Sequence, residues 1–222
     1  MFTRYAIFFV PNGAWGAFGA SWLGWNNQTG TYVKSGSWGI PDQNTLTNRP
    51  RKYGFHATIK APFFLAQGHN ENALSEAAQS LCKTMAPIEL TSVRLSRLGR
   101  FFALSAPDQQ DALIQLSQRA VTELDQFRAP ATQAELTRRR QSRLTPAQDA
   151  LMLQWGYPYV MDQFRFHLTL TGPTQHADLV EGQVHAALSD ILQVPLVLDA
   201  LCLMGEAADG NFHQIARYPF AG

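Results

Sequence analysis

The sequence predicts an α+β fold of two related lobes, and three observations carry that prediction. The order strand, helix, strand, strand occurs twice, once in residues 54–128 and again in residues 161–222. Phe55-His56-Ala57-Thr58-Ile59-Lys60-Ala61-Pro62 aligns with Phe166-His167-Leu168-Thr169-Leu170-Thr171-Gly172-Pro173, so that Phe, His, Thr and Pro coincide and Ile59 matches Leu170. Apolar residues recur at helical spacing in one kind of segment and alternate with polar ones in the other. An internal repeat of roughly a hundred residues implies two pseudo-symmetric β-α-β-β lobes, each contributing one copy of a motif to a shared cleft.

Taken in order, residues 4–10 read as a buried first strand that completes one of the sheets. Residues 11–50 are rich in Gly, Asn, Trp, Ser and Pro; residues 14–24 read as a short helix and the rest as ordered loop, because Trp15, Trp22, Trp25 and Trp38 are costly to leave in water. Residues 55–64 are strand-like, and residues 71–85 form a helix that Asn70 can cap. Residues 88–98 and 101–104 make a hairpin broken at Gly99. A helix capped by Asp108 runs to about residue 127. Residues 129–160 are a helical insert with Arg138-Arg139-Arg140 and Arg143, a capped helix at Thr145-Pro146, and Trp155-Gly156-Tyr157-Pro158-Tyr159. The earlier order then returns: strand 165–171, helix 177–192, strand 196–204, a turn at Asp209-Gly210 and a last strand 212–218. The whole of 1–222 is expected to be a single bilobal domain.

Composition narrows the function. With 18 basic and 17 acidic residues, the chain lacks the basic excess of a protein that grips long nucleic acid through its phosphates. Any anion site must be local. The apolar run after Arg4 stops at Pro11-Asn12-Gly13, too short for a secretory leader, and no segment approaches the roughly 18 apolar residues of a membrane span. Cys82 and Cys202 lack metal-ligand spacing and read as buried thiols. A cytoplasmic, soluble monomer is expected.

In a strand, side chains two apart share a face. Each His-x-Thr therefore presents an imidazole beside a hydroxyl, while Ala57, Ile59, Leu168 and Leu170 point to the core. Two such strands, facing across a pseudo-two-fold, surround one small anion with two imidazoles and two hydroxyls. Imidazoles titrate near neutral pH and can serve as base and acid; the hydroxyls can donate to phosphoryl oxygens. Neither a metal nor another cofactor is required. A lone His on a strand is ordinarily structural, and it is the repetition that points to His56, Thr58, His167 and Thr169 as a catalytic set. His69, His176, His185 and His213 have no such partner and read as surface or packing residues.

With this motif pair the sequence resembles the 2H phosphoesterase superfamily, whose members carry two His-x-Thr/Ser motifs on strands of a bilobal fold. Residues 53–63, together with 155–160 and 164–167, resemble one bacterial branch of it, commonly encoded beside phosphonate-utilisation genes. The resemblance implies a metal-independent cyclic phosphodiesterase in which one histidine activates water and the other protonates the leaving oxygen, the threonines orienting the phosphate. It leaves open which histidine does which. It implies a small phosphorylated substrate, a cyclic sugar phosphate or nucleotide, with a phosphoribosyl cyclic phosphate favoured by the gene setting. An RNA terminus with a 2′,3′-cyclic phosphate or 2′-5′ linkage, and a non-catalytic nucleotide-binding module, are the competing readings.

Substrate contacts beyond the four follow from placement. Lys60, two beyond Thr58, and Arg165, two before His167, are candidate phosphate ligands. Arg139 and Arg143, four apart on the helix expected after Gln133, share a face and can meet a second anionic group; a solvated helix face is the plainer alternative. Tyr53, Tyr157 and Tyr159 flank the motifs and suit stacking on a base or bonding a sugar hydroxyl, or packing at the rim.

Overall fold

The computed structural model describes residues 2–36, 38–40, 42–174 and 177–222; His176 lies outside them. The chain runs β1 (Tyr5–Phe9), α1 (Gly13–Leu23), β2 (Trp25–Asn26), β3 (Thr31–Tyr32), α2 (Gln43–Arg51), β4 (Ala57–Phe63), α3 (Glu71–Cys82), β5 (Ile88–Leu90), β6 (Arg94–Leu98), β7 (Phe101–Ser105), α4 (Gln110–Glu123), α5 (Gln133–Arg140), α6 (Pro146–Trp155), β8 (Leu168–Thr169), α7 (Ala177–Leu188), β9 (Leu196–Leu198), β10 (Ala200–Glu206) and β11 (Phe212–Pro219). The fold is α+β, with antiparallel pairing throughout the described strands.

Seven strands form one sheet in the order β11-β10-β1-β4-β8-β7-β6. The two repeats exchange parts to make it. Hairpin β6–β7 of the first repeat lies against β8 of the second, and hairpin β10–β11 of the second reaches β4 of the first through β1. The same exchange pairs β5 with β9 in a separate two-stranded sheet. The two halves of the large sheet meet through a single registered pair between β4 and β8, Ala57 opposite Leu168. The pseudo-two-fold therefore passes between the two motif strands.

Alternation decides which face meets the helices. Ile7, Phe9, Ala57, Ile59, Phe102, Leu104, Leu168, Leu170, Leu201 and Leu203 are buried in the main core, with α1, α3, α4 and α7 supplying Trp22, Leu74, Leu113 and Val184. The opposite face carries a smaller cluster of Ala6, Phe8, Val10, Cys202, Met204 and Phe212, with Tyr53 packed on it. Both cysteines are free and buried.

Several elements differ from the sequence reading. The segment 25–50 is not all loop: it holds a short hairpin and α2. Helix α2, Gln-Asn-Thr-Leu-Thr-Asn-Arg-Pro-Arg, has no apolar stripe and is fixed instead by long-range bonds, Gly172 N to Leu46 O at 2.5 Å and Arg51 Nε to Leu23 O at 2.5 Å. The strand read over 88–98 divides, because β5 turns away to pair with β9. Only Leu168–Thr169 of 165–171 is paired as strand. Asp108 does not cap α4; it lies inside a 3-10 turn at Pro107–Gln109. Asn70 and Thr145 do cap, the latter in a full capping box. The tryptophans bridge elements, with Trp22 Nε1 donating to Leu170 O at 2.8 Å and Trp25 Nε1 to Phe212 O at 3.2 Å. Trp22 thus ties α1 to the residue just after the second motif.

Candidate active site

The register of β4 and β8 assembles the motif residues. Because Ala57 faces Leu168, one step outward sets His56 opposite Thr169 and Thr58 opposite His167. Directly opposed side chains lie about 5 Å apart at Cβ. Ala57 and Leu168 point into the core, so the four motif side chains occupy the other face as a square, each histidine diagonal to its counterpart. The charge of His167 reaches His56 and lowers its pKa, consistent with that proximity.

Each imidazole is held in the same way. His56 Nδ1 lies 2.8 Å from the carbonyl of Gly54, and His167 Nδ1 lies 2.8 Å from the carbonyl of Arg165. A carbonyl can only accept, so Nδ1 carries the hydrogen in both rings. In the neutral form Nε2 is then a bare lone pair on each. His56 Nε2 is 3.1 Å from Thr58 Oγ1, whose hydroxyl therefore donates to it.

The turn before His56 explains that geometry. Helix α2 ends in bonds from Tyr53 N to Pro50 O and Gly54 N to Arg51 O. Gly54 has φ 73°, and a Cβ there would lie 2.5 Å from the Asn27 side chain. Asn27 itself donates to Tyr53 O at 2.9 Å. Only glycine fits, and the turn aims the Gly54 carbonyl back at the imidazole. Gly19 of α1 likewise lets that helix close on Phe55, since a Cβ would meet the Phe55 ring at 2.1 Å.

Surroundings distinguish the two rings. His56 is 8% exposed, with Phe8 stacked at 3.9 Å and Tyr53 at 5.7 Å between ring centroids. Burial lowers its pKa to about 4, against the small upward pull of the Gly54 bond. His167 is half-buried at the rim, 5.9 Å from the Phe101 ring. Its pKa is also lowered by burial, with the Arg165 carbonyl pulling it up. Arg165 itself is exposed, and among the described residues no ion pair engages its guanidinium.

Two sequence-based placements do not hold. Lys60 is 3% exposed, its Nζ bonded to Val121 O at 3.0 Å and Asp125 Oδ1 at 3.1 Å. The register of β1 with β4 shifts between Ile7 and Phe8: Phe8 faces Thr58 but Ile7 faces Lys60. This bulge at Ile59 turns Lys60 to the helix side, away from the motif face. Burial brings its pKa down to about 8 despite Asp125. Arg143 does not share a helix face with Arg139, because α5 ends at Arg140 and Arg143 is an exposed turn residue with φ 53°.

Arg139 and the tyrosines do gather. Arg139 pairs with Glu135 at 3.0 Å, lies 5.2 Å over the Tyr157 ring, and has a buried Nε without a partner. The Tyr157 hydroxyl is raised by burial and feels Arg139, Tyr159, Tyr53 and Arg49. Tyr157 and Tyr159 meet edge-on at 5.6 Å. Tyr53 stacks on both His56 and Phe212, at 5.7 and 5.0 Å. Through Tyr53, Tyr157 thus neighbours the His56 side of the square. Sequence reading missed Phe8, Phe101 and Arg49. The alternation of 4–10 already set Phe8 on a face opposite Ile7 and Phe9, but nothing local said that this face would meet a histidine.

The chain belongs to a family described as protein of unknown function (DUF1045), whose model matches residues 58–213. It is 39% identical over 233 residues to a ribose 1,5-bisphosphate phosphokinase PhnN of Janthinobacterium sp. (strain Marseille), covering 99% of this chain and 51% of that protein. It is 32% identical over 220 residues to a protein of the same name from Laribacter hongkongensis (strain HLHK9), covering 96% and 51%. The chain spans about half the length of these curated relatives. Solved structures similar to it include E. coli LigT complexed with phosphate (12% identity, TM-score 0.46, covering 99% of this chain and 98% of that one) and with NADP+ (13%, 0.45, all of both chains). At that distance the motif square rests on the register and bonds described above. No helix among the described residues is long and apolar enough to cross a membrane.

Proposed function

We propose that this chain is a metal-independent cyclic phosphodiesterase that opens a small cyclic phosphate by paired-histidine acid–base catalysis at His56, Thr58, His167 and Thr169. The observation that carries the reading is the square itself: two imidazoles with Nδ1 pinned by backbone and Nε2 turned to one face, each opposite a threonine hydroxyl. Acid and base both come from side chains, and the hydroxyls stabilise charge on the non-bridging oxygens.

The substrate in this reading is a phosphorylated ribose or a nucleotide. The relatives' name, ribose 1,5-bisphosphate phosphokinase, supports a ribose bearing more than one phosphate, and a phosphoribosyl cyclic phosphate from phosphonate breakdown fits that chemistry. The kinase activity in that name is not what the motif strands support: the chain has no Gly-x4-Gly-Lys-Ser/Thr loop, the phosphate cradle of many nucleotide-dependent enzymes. Arg139, Arg165, Tyr53, Tyr157 and Tyr159 remain the substrate-binding candidates, with Arg49 added to them. The near balance of charge favours a small substrate over long RNA.

A panel of cyclic phosphates, assayed with and without EDTA, tests the reading. It includes a phosphoribosyl cyclic phosphate, 2′,3′-cyclic nucleotides and RNA ending in a 2′,3′-cyclic phosphate. Turnover of the small substrates that survives chelation is expected. Loss of all activity on chelation would end the metal-free mechanism, preference for the RNA end would favour the RNA-processing alternative, and binding without turnover would leave only a nucleotide-binding module.

A further inference from the structure

The two motif strands are equivalent in sequence but not in the space around them, and that inequality assigns their roles. We propose that His56 takes the proton from the attacking water and that His167 gives a proton to the departing sugar oxygen. The inference rests on the phosphodiesterase reading above.

Space is the first argument. In-line attack puts the entering and leaving oxygens on opposite sides of phosphorus. The leaving oxygen brings the sugar with it, whereas the entering one brings only two hydrogens. His56 lies beneath Phe8 and Tyr53, with Thr58 on its Nε2. Of the two groups, the small water suits this closed ring, reaching its Nε2 once the Thr58 hydroxyl swings to a phosphoryl oxygen. His167 is at the rim, with Phe101 to one side, exposed Arg165 two residues away, and no hydrogen-bond partner on Nε2 among the described residues. The bulky side of the substrate belongs there.

Proton placement is the second argument. Catalysis starts with one imidazole neutral and one protonated, and a proton shared between two rings goes where its charge is less desolvated. That ring is His167. Once charged, it pushes His56 further down and so keeps it a free base. The step then balances: water oxygen bonds to phosphorus as its proton passes to His56 Nε2, the phosphorus–sugar oxygen bond breaks, and that oxygen takes the proton from His167 Nε2. The product is a phosphomonoester with a free sugar hydroxyl; His56 then gives its proton to solvent and His167 takes one back, which restores the starting pair.

A leaving-group experiment separates the roles. p-Nitrophenolate departs without protonation, so a p-nitrophenyl phosphodiester needs the base but not the acid. His167→Ala should lose about 100-fold or more on a 2′,3′-cyclic nucleotide yet stay within about tenfold of the parent on the aryl diester. His56→Ala should lose about 100-fold or more on both. The opposite pattern, or equal losses by both variants on both substrates, overturns the assignment. A parent protein inactive on every diester would instead sink the phosphodiesterase reading. A second measurement needs no variant that can misfold. In ¹⁵N spectra of the parent protein titrated downward in pH, alone and with inorganic phosphate, the His167 ring should protonate before the His56 ring. His56 protonating first overturns the proposal whatever the kinetics show.

Discussion

His56 and His167 each pin Nδ1 to the carbonyl two residues earlier, yet one lies under Phe8 and Tyr53 and the other opens at the rim beside Phe101. The backbone part of the motif is therefore shared, and the electrostatic part is set by elements outside the repeat. Phe8 comes from β1 and Tyr53 from the end of α2; β7 flanks β8 as β1 flanks β4, but it sets Ala103 opposite Thr169 where β1 sets Phe8 opposite Thr58. A repeat can deliver two identical side chains to one site, while asymmetric packing makes them different acids.

The hardest test of this comparison is removal of each ring. His56→Ala and His167→Ala should each cut turnover of a cyclic phosphate by about 10²–10⁴-fold. The double variant should be little worse than either single one, because acid and base act in one step and such losses do not add. Circular dichroism establishes that the variants fold. A single variant with a near-parental rate would break the pairing of the two motifs.

Much of this site was legible in the sequence because its information is local. A period of two fixes which side chains share a strand face, and the repeated Phe-His-x-Thr fixes the equivalence of two strands. The capping of α3 and α6 by Asn70 and Thr145 was equally local. What failed was non-local. Helix α2 has no apolar stripe and exists through bonds to Gly172 and Leu23; Lys60 follows the strand rule until the Ile59 bulge reverses it; Arg143 lies beyond a helix that stops at Arg140. The exchange of hairpins between halves of the sheet is invisible to any local pattern.

Acid titration of stability sharpens the comparison next. The His56 pKa falls from 6.5 to about 4 on folding, so between those values the unfolded chain binds more protons. The stabilisation is complete above pH 6.5 and is lost as pH falls toward 4, amounting to about 3 kcal/mol at most. His167, lowered in the same direction, adds to the loss. Urea unfolding at several pH values should show His56→Phe with a flatter profile over this window than His167→Phe. Equal flattening would mean that the two environments are not different.

The sixth position of the aligned repeat offers a smaller effect. Lys60 and Thr171 are equivalent there, and both are buried away from the square: Lys60 on Val121 O and Asp125, Thr171 accepting from Phe102 N at 3.0 Å. Asp125 keeps two bonds from Arg128 when Lys60 is lost. Lys60→Met should therefore cost about 1–3 kcal/mol of stability and leave the Michaelis constant unchanged. Arg165→Met should do the reverse, raising the Michaelis constant with stability within about 0.5 kcal/mol of the parent. A Michaelis constant raised by Lys60→Met would return that residue to the phosphate.

The smallest effect concerns the roof over His56. Tyr53 covers one face of the ring and itself leans on Phe212, so Tyr53→Ala admits water to a ring whose low pKa comes chiefly from burial. The His56 pKa should rise from about 4 toward 6.5, read by ¹⁵N titration, and the acidic limb of kcat/KM should move up with it if His56 is the base. Tyr53→Phe keeps the stack and should leave both unchanged. Phe101→Ala bares a ring that is already at the rim, so it should move His167 less than Tyr53→Ala moves His56. If Phe101→Ala produced the larger shift, the contrast between a roofed and an open histidine would have to be reversed.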